Sequence, residues 1–195
     1  MQRDFIRSLE KAIGVEKVST RWIDRLALSS DASFYSLVPA CIVRPTTAED
    51  VASLLRLAGE HRLPLTFRAA GTSLSGQAIS DSVLVDISRS FRDVQILDEG
   101  RRIRLQPGVT GQRANDHLRR YGRKIGPDPA SIQAAMLGGI LANNSSGMCC
   151  GVTQNAYHTL DAMTIVLPDG SRFNTETAAD AGRFRYEHAS LYNGL

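Results

Sequence analysis

Apolar residues near the start of the chain recur at helical spacing, with Phe5, Ile6, Leu9 and Ile13 on one stripe. Gly14 stops that helix, and Trp22, Ile23, Leu26 and Leu28 supply a second apolar face. Residues 2–29 therefore read as one or two helices packed on a domain. A loop over 31–39 leads to a short apolar strand, Cys41-Ile42-Val43. Thr46 and Glu49 have the spacing of a capping box, in which each side chain satisfies an orphan backbone donor. The helix that follows carries Val51, Leu54, Leu55 and Ala58 on one stripe and ends near His61. Residues 63–67 then read as a buried strand. Strand, helix and strand form a β-α-β unit, so its two strands should run parallel.

The pattern changes after this unit. Three short strand candidates follow at 83–86, 94–97 and 103–105, with Glu99-Gly100 as a turn at hairpin spacing between the last two. A helix over 110–121 has Ala114, Leu118 and Tyr121 inward and Gly122 as its C-cap. A short apolar helix spans 136–142, a strand spans 160–167, and Pro168-Asp169-Gly170 is a turn. The pattern predicts an α+β chain, with a parallel part first and an antiparallel part later, and no internal repeat.

Composition narrows the function classes. The 195 residues are 43% hydrophobic and 22% charged, which are ordinary values for a globular chain with a core. The net charge of +3 is scattered. The Arg101-Arg102 and Arg119-Arg120 pairs do not make a basic tract, so nucleic acid is not the expected partner. Cys41, Cys149 and Cys150 show no metal-ligand spacing, and vicinal cysteines bridge only with strain. A reducing compartment is expected. The first residues lack an apolar signal core, and no apolar run is long enough for a transmembrane segment. The expected location is cytoplasmic, with room for peripheral contact at the inner face of the membrane.

Two loops carry the chemistry. Arg68-Ala69-Ala70-Gly71-Thr72-Ser73-Leu74-Ser75-Gly76-Gln77 directly follows the strand ending at Phe67. Small residues and glycines let the backbone approach a ligand and point successive N–H groups at phosphate oxygens. Thr72, Ser73 and Ser75 add hydroxyl donors. The loop is not a Walker A motif, a GxGxxG dinucleotide fingerprint or a GxSxG nucleophile elbow. A tight turn with no ligand is the competing reading. The second region opens with Gly126-Pro127-Asp128-Pro129-Ala130-Ser131 and runs through Leu137-Gly138-Gly139-Ile140-Leu141-Ala142-Asn143-Asn144-Ser145-Ser146-Gly147. Gly138-Gly139 at a helix N-terminus offers unpaired N–H groups. Asn143, Asn144, Ser145 and Ser146 offer the donors and acceptors that a ribityl chain or flavin edge needs. A glycine-packed helix with a capped loop is the alternative.

Taken together, the order RAAGTSLSGQ, GPDPAS, LGGILANNSSG and a strand ending Leu167-Pro168-Asp169-Gly170 resembles the FAD-linked oxidases. The likeness is to their FAD-binding domain of the PCMH or vanillyl-alcohol-oxidase type, over roughly residues 37–173. Within them the chain is most similar to D-lactate dehydrogenase, glycolate oxidase and 2-hydroxyglutarate dehydrogenase proteins. The stretch 142–151 is similar to members with a C-terminal iron–sulfur domain. The resemblance implies two α/β lobes, one a small parallel β-α-β lobe and the other mixed or antiparallel. Residues 1–36 would be a helical extension and 37–195 the FAD-binding domain, incomplete at its C-terminus. Arg68, Ala69, Ala70, Gly71, Thr72, Ser73, Leu74, Ser75, Gly76 and Gln77 would wrap the FAD pyrophosphate, mostly through main-chain N–H groups. Pro127, Asp128 and Ser131 would lie close to the flavin. Gly138, Gly139, Asn143, Ser145, Ser146 and Gly147 would follow the flavin, ribityl and phosphate path. The implied reaction is oxidation of a D-2-hydroxy acid to a 2-oxo acid, with no catalytic residue assigned in this chain and no metal.

Three departures from the family pattern matter. Relatives that bind FAD covalently often have His where this chain has Thr72, so FAD is expected to be non-covalent. Met136 stands where many relatives have Thr or Ser, which removes one hydroxyl contact. Family members also continue well past this length. The chain is therefore expected to be a truncated product or one part of a split enzyme, with the missing half or an iron–sulfur subunit as partner. A non-catalytic remnant that needs a partner chain to hold FAD is the rival expectation. His61, His117, His158 and His188 lack metal spacing, and Cys149 and Cys150 read as small buried residues.

Overall fold

The computed structural model describes residues 2–192. Helix α1 (Gln2–Ile13) and a single 3-10 turn lead into strand β1 (Val18–Ser19) and helix α2 (Trp22–Ala27). Strand β2 (Cys41–Val43), helix α3 (Ala48–His61), strand β3 (Leu65–Arg68) and strand β4 (Val83–Asp86) complete the first lobe. The sheet order is β1-β2-β4-β3. β4 lies parallel to both β2 and β3, and β1 pairs antiparallel to β2 at the edge. The expected parallel β-α-β unit is present, with β4 inserted between its two strands. β1 was not visible in the apolar pattern: two half-buried residues give no periodicity to read.

Strand alternation sends Cys41, Val43, Val83 and Val85 to the helical face of the sheet. There they join Phe5, Leu9 and Ile13 of α1 and Leu54 and Ala58 of α3 in one core. Full burial of such side chains contributes roughly 1.5–3 kcal/mol each. Val51 and Leu55 sit only half-buried on the flank of α3. The Trp22, Ile23 and Leu26 face of α2 is exposed rather than packed.

The capping box of α3 is shifted by one residue from the expected Thr46–Glu49 pair. Thr47 is the N-cap and Asp50 its partner. The Asp50 carboxylate accepts from the Thr46 and Thr47 N–H groups at 2.8 and 3.1 Å and pairs with Lys17 Nζ at 2.8 Å. Glu49 instead turns outward to Arg172. The two registers look alike locally, and a lysine 33 residues away decides between them.

In the second lobe, strands β5 (Val94–Leu97) and β6 (Arg102–Leu105) pair as an antiparallel hairpin. Helix α4 (Gly111–Leu118) ends in a 3-10 turn over Arg119–Tyr121, capped by Gly122 in the left-handed region. Val109, Ala114, Leu118, Ile125 and Leu137 form its core under the hairpin. Helix α5 (Leu137–Ala142) follows, then strands β7 (Thr164–Val166) and β8 (Arg172–Asn174), paired antiparallel. Gly170, with φ +82°, makes the turn between them. Helices α6 (Ala178–Glu187) and α7 (Ala189–Tyr192) close the described chain, and Phe184 packs on Phe173 and Leu167. The sequence pattern did not indicate β8, α6 or α7. No helix among the described residues is long and apolar enough to cross a membrane.

Candidate functional site

The first loop leaves the end of β3 and wraps around the Arg68 side chain. Arg68 is buried, and its Nη1 donates to the Ser30 carbonyl at 2.8 Å and the Ala78 carbonyl at 3.1 Å. Burial pushes its guanidinium below the usual value, opposed by the charges of Asp31 and Asp86. The side chain is therefore committed inside the protein and does not reach out of the loop. Gly71 turns directly over it with φ +70°, and a Cβ there would lie 2.5 Å from Arg68 Nη2. Both the sign of φ and the lack of space call for glycine at this position.

The consequence lies in the backbone. Among the described residues, the consecutive N–H groups of Ala70, Gly71, Thr72, Ser73 and Leu74 donate to no protein acceptor. The loop is solvent-accessible, so this run is an open nest of donors rather than a buried defect. Ser73 Oγ accepts from the Ser75 and Gln77 N–H groups and donates to Gln77 Oε1 at 3.1 Å, which spends that hydroxyl on shaping the loop. Among the described residues, the Thr72 and Ser75 hydroxyls have no protein partner. Leu74 and Gln77 are exposed.

The second region comes to the same wall through Ile87. The Ile87 N–H donates to the Arg68 carbonyl at 3.0 Å. Its Cδ1 lies 3.7 Å from where a Gly138 Cβ would be. Farther along, Gly147 lies against the main chain of Asp128, where a Cβ would fall 1.8 Å from the carbonyl oxygen. That contact joins the segment holding Pro127, Asp128 and Ser131 to the one holding Asn143, Ser145 and Ser146. Interior packing thus links the two segments, from the Arg68 carbonyl through the buried Ile87 to Gly138 of α5, while Gly147 lies against Asp128. A shallow groove lined by Tyr35, Ser36, Leu37, Ser75, Gly76 and Ile79 flanks the first loop and includes no residue of the second.

Several expected contacts need correction. Only Gly139 of the glycine pair keeps a free N–H, because Gly138 N–H donates to the Pro107 carbonyl at 2.9 Å. Leu137 N–H is likewise taken by the Val109 carbonyl at 2.8 Å. No side chain caps α5. Asn144 turns to accept from Tyr157 N–H at 2.9 Å, whereas Asn143 and Ser146 are exposed, their side chains without a partner among the described residues. Of the vicinal pair, Cys149 is exposed, not buried as expected, and Cys150 is buried. His61 and His188 pack edge-on against Phe5 and Phe173.

The sequence reading missed Asp31, Ile87 and Pro107. Asp31 carried a local signal, since an Asp two residues before Ser33 invites the Asx turn seen here at 2.9 Å. Ile87 and Pro107 carried none. Their importance comes from what packs on them.

Residues 39–176 match the family described as FAD binding domain, and the chain belongs to it. The fold is that of the PCMH-type FAD-binding oxidases. The chain is 30% identical to the D-2-hydroxyglutarate dehydrogenase of Escherichia coli (strain K12), over 97% of this chain and 20% of that protein. It is 31% identical to the mitochondrial D-lactate dehydrogenase [cytochrome] 1 of Saccharomyces cerevisiae, over 80% of this chain and 27% of that protein. Among solved structures it superposes on p-cresol methylhydroxylase with substrate bound, at a TM-score of 0.73 and 16% identity, covering 88% of this chain and 35% of that one. It therefore spans about a fifth to a quarter of the length of these curated relatives.

Proposed function

We propose that this chain is the FAD-holding part of a flavin-dependent oxidoreductase that converts a D-2-hydroxy acid to a 2-oxo acid. The observation that carries the reading is the run of five consecutive N–H groups from Ala70 to Leu74 that donate to no acceptor among the described residues, in a loop whose base is joined through Ile87 to Gly138 of the second region. Oriented main-chain donors suit a diphosphate, whose oxygens need several hydrogen bonds at once. The Thr72 and Ser75 hydroxyls add donors beside them. Pro127, Asp128 and Ser131, the Gly139 N–H, and Asn143, Ser145, Ser146 and Gly147 would follow the ribityl chain and ring.

FAD, when bound, supplies the ring that accepts a hydride equivalent from the substrate. This chain binds and orients it. The loop contains no His or Cys at 68–77, which supports non-covalent attachment. Asp128 is the one carboxylate within 68–77 and 126–147, and it pairs with Lys124 at 3.2 Å. The group that takes the substrate's hydroxyl proton is therefore expected from another segment or polypeptide. That role suits the remaining half of such an enzyme or an iron–sulfur subunit, in a cytoplasmic protein that contacts the membrane only peripherally. The small 2-hydroxy acid follows the names of the relatives.

The test is a titration of the purified chain with FAD, followed by flavin fluorescence and absorbance. One non-covalent FAD per chain, released intact on denaturation, is the expected result. Colourless protein that ignores added FAD would overturn the reading. A second reading, a chain that holds FAD only with a partner polypeptide, is favoured by the exposed Trp22, Ile23, Leu26 and Phe34, the last 88% exposed. It is distinguished by FAD binding, and dye reduction with D-lactate or D-2-hydroxyglutarate, that appears only when that polypeptide is added.

A further inference from the structure

An acidic residue stands directly behind the proposed anion cradle. Asp31 Oδ1 accepts from Ser33 N–H at 2.9 Å, and Oδ2 accepts from Ala78 N–H, at the far end of the loop, at 3.3 Å. The neighbouring Ala32 N–H donates to the Gly71 carbonyl at 3.0 Å, at the loop's sharpest turn. Arg68 completes the arrangement by bridging the Ser30 and Ala78 carbonyls from below. The segment is itself braced, with Ser30 bridged to Ser36 and Leu37 N–H donating to the Ser29 carbonyl at 2.8 Å.

This bonding pattern sets which way the loop faces. In a trans peptide the carbonyl of one residue and the N–H of the next point in opposite directions. Holding the Gly71 carbonyl against Ala32 therefore turns the Thr72 N–H away from the 29–37 segment. That bond fixes the turn at Gly71, while Asp31 and Arg68 fix the loop's far end by holding the Ala78 N–H and carbonyl.

We propose that Asp31 and Arg68 are positioning residues that form a clamp: they hold loop 69–77 with its N–H groups facing outward, and neither touches the anion. The inference rests on the FAD reading for its ligand and deepens it. It predicts an unusual sign. Removing a negative charge beside an anion site ordinarily strengthens binding, because a repulsion is lost. Asp31→Asn is expected instead to weaken binding of FAD and of inorganic pyrophosphate about tenfold or more, since the loss of preorganisation outweighs the lost repulsion. Arg68→Gln should weaken both similarly, because the shorter amide cannot reach the Ser30 and Ala78 carbonyls that Nη1 holds together.

The test compares the wild-type chain with these two variants by calorimetric titration with FAD and with pyrophosphate across a salt series. The expected outcome is weaker binding with an unchanged salt slope, because no ligand-facing cation has been removed. A reduced salt slope in Arg68→Gln would mean direct contact with the anion, and tighter binding in Asp31→Asn would make it a charge-repulsion site. Either result, or unchanged affinity, overturns the clamp while leaving the FAD reading intact. Amide exchange in the ligand-free protein tests the clamp independently of any ligand. Exchange at Ala32, whose bond is to Gly71 and not to the altered carboxylate, should speed up at least tenfold in Asp31→Asn while β4 amides keep their rates. Unchanged exchange at Ala32, or equal acceleration in β4, overturns the proposal. Wild-type protein that binds neither probe removes the FAD reading and leaves the exchange result to decide the clamp.

Discussion

Gly147→Ala tests whether the second loop is tied to the 126–131 segment as described. The added methyl carbon would lie 1.8 Å from the Asp128 oxygen, 2.3 Å from its carbonyl carbon and 3.0 Å from its Cα. Relaxed non-bonded carbon contacts are about 3.5–4.0 Å, so the two backbones must part by well over an ångström. No flexible side chain can give way, because all three atoms are main chain. The cost belongs at the upper end of overpacking, about 3 kcal/mol. In a domain of this size that lowers Tm by about 6–12 °C. Gly139→Ala is the matched control, since a Cβ there meets nothing within 4 Å. Within helix α5 the same substitution should stabilise by about 0.5–1 kcal/mol through helix propensity. It should nonetheless weaken FAD binding, because the methyl group crowds the free Gly139 N–H. Thermal unfolding of both variants, read by calorimetry, gives shifts of opposite sign. A fall in Tm of less than about 2 °C for Gly147→Ala would refute the reasoning.

Two further predictions concern titrating groups. Cys41 is fully buried in the first core, and burial pushes its thiol up from 9.0 to about 11. A raised pKa favours the neutral thiol, so the contribution to stability is complete below pH 9.0 and falls as pH rises to about 11. Urea unfolding across that window should show a decline of roughly 2 kcal/mol, and a flat profile would contradict the burial. In the same protein a thiol reagent at neutral pH should label the exposed Cys149 first and Cys41 only after unfolding, which peptide mass mapping can resolve. Burial alone would raise the Asp50 pKa. The bonds from Lys17, Thr46 and Thr47 outweigh it and hold the carboxyl below 3.8. Its contribution is therefore present above that value and is lost as pH falls through the depressed one. Asp50→Asn should cost about 2 kcal/mol at neutral pH and flatten the acid limb of the stability curve, and a steeper acid limb would argue against the Lys17 pairing.

Sequence alone was enough for whatever local periodicity and residue size dictate. The stripe through Phe5, Leu9 and Ile13 marks a helix, and the apolar runs at 41–43 and 83–86 mark strands, whereas the strand read as buried at 63–67 forms over 65–68 and is only half-buried, with Phe67 exposed. The glycines at 71, 122 and 170 stand where the backbone has positive φ. These features depend on neighbours within about four residues, so the chain displays them directly. The order of the two glycine-bearing loops was legible for the same reason.

The tertiary structure decided which of several locally equivalent groups found a partner. Thr46–Glu49 and Thr47–Asp50 have the same spacing, and Lys17 selected the second. Arg68 could face a ligand or the interior, and carbonyls 38 residues before it and 10 after it drew it inward. Gly138 and Gly139 are chemically identical, yet the Pro107 carbonyl takes one N–H and leaves the other free. Asp31 acts on the cradle from 47 residues before its Ala78 partner. In each case hydrogen-bonding capacity is written in the sequence, but whether that capacity is spent inside the fold depends on segments that meet only when the chain folds.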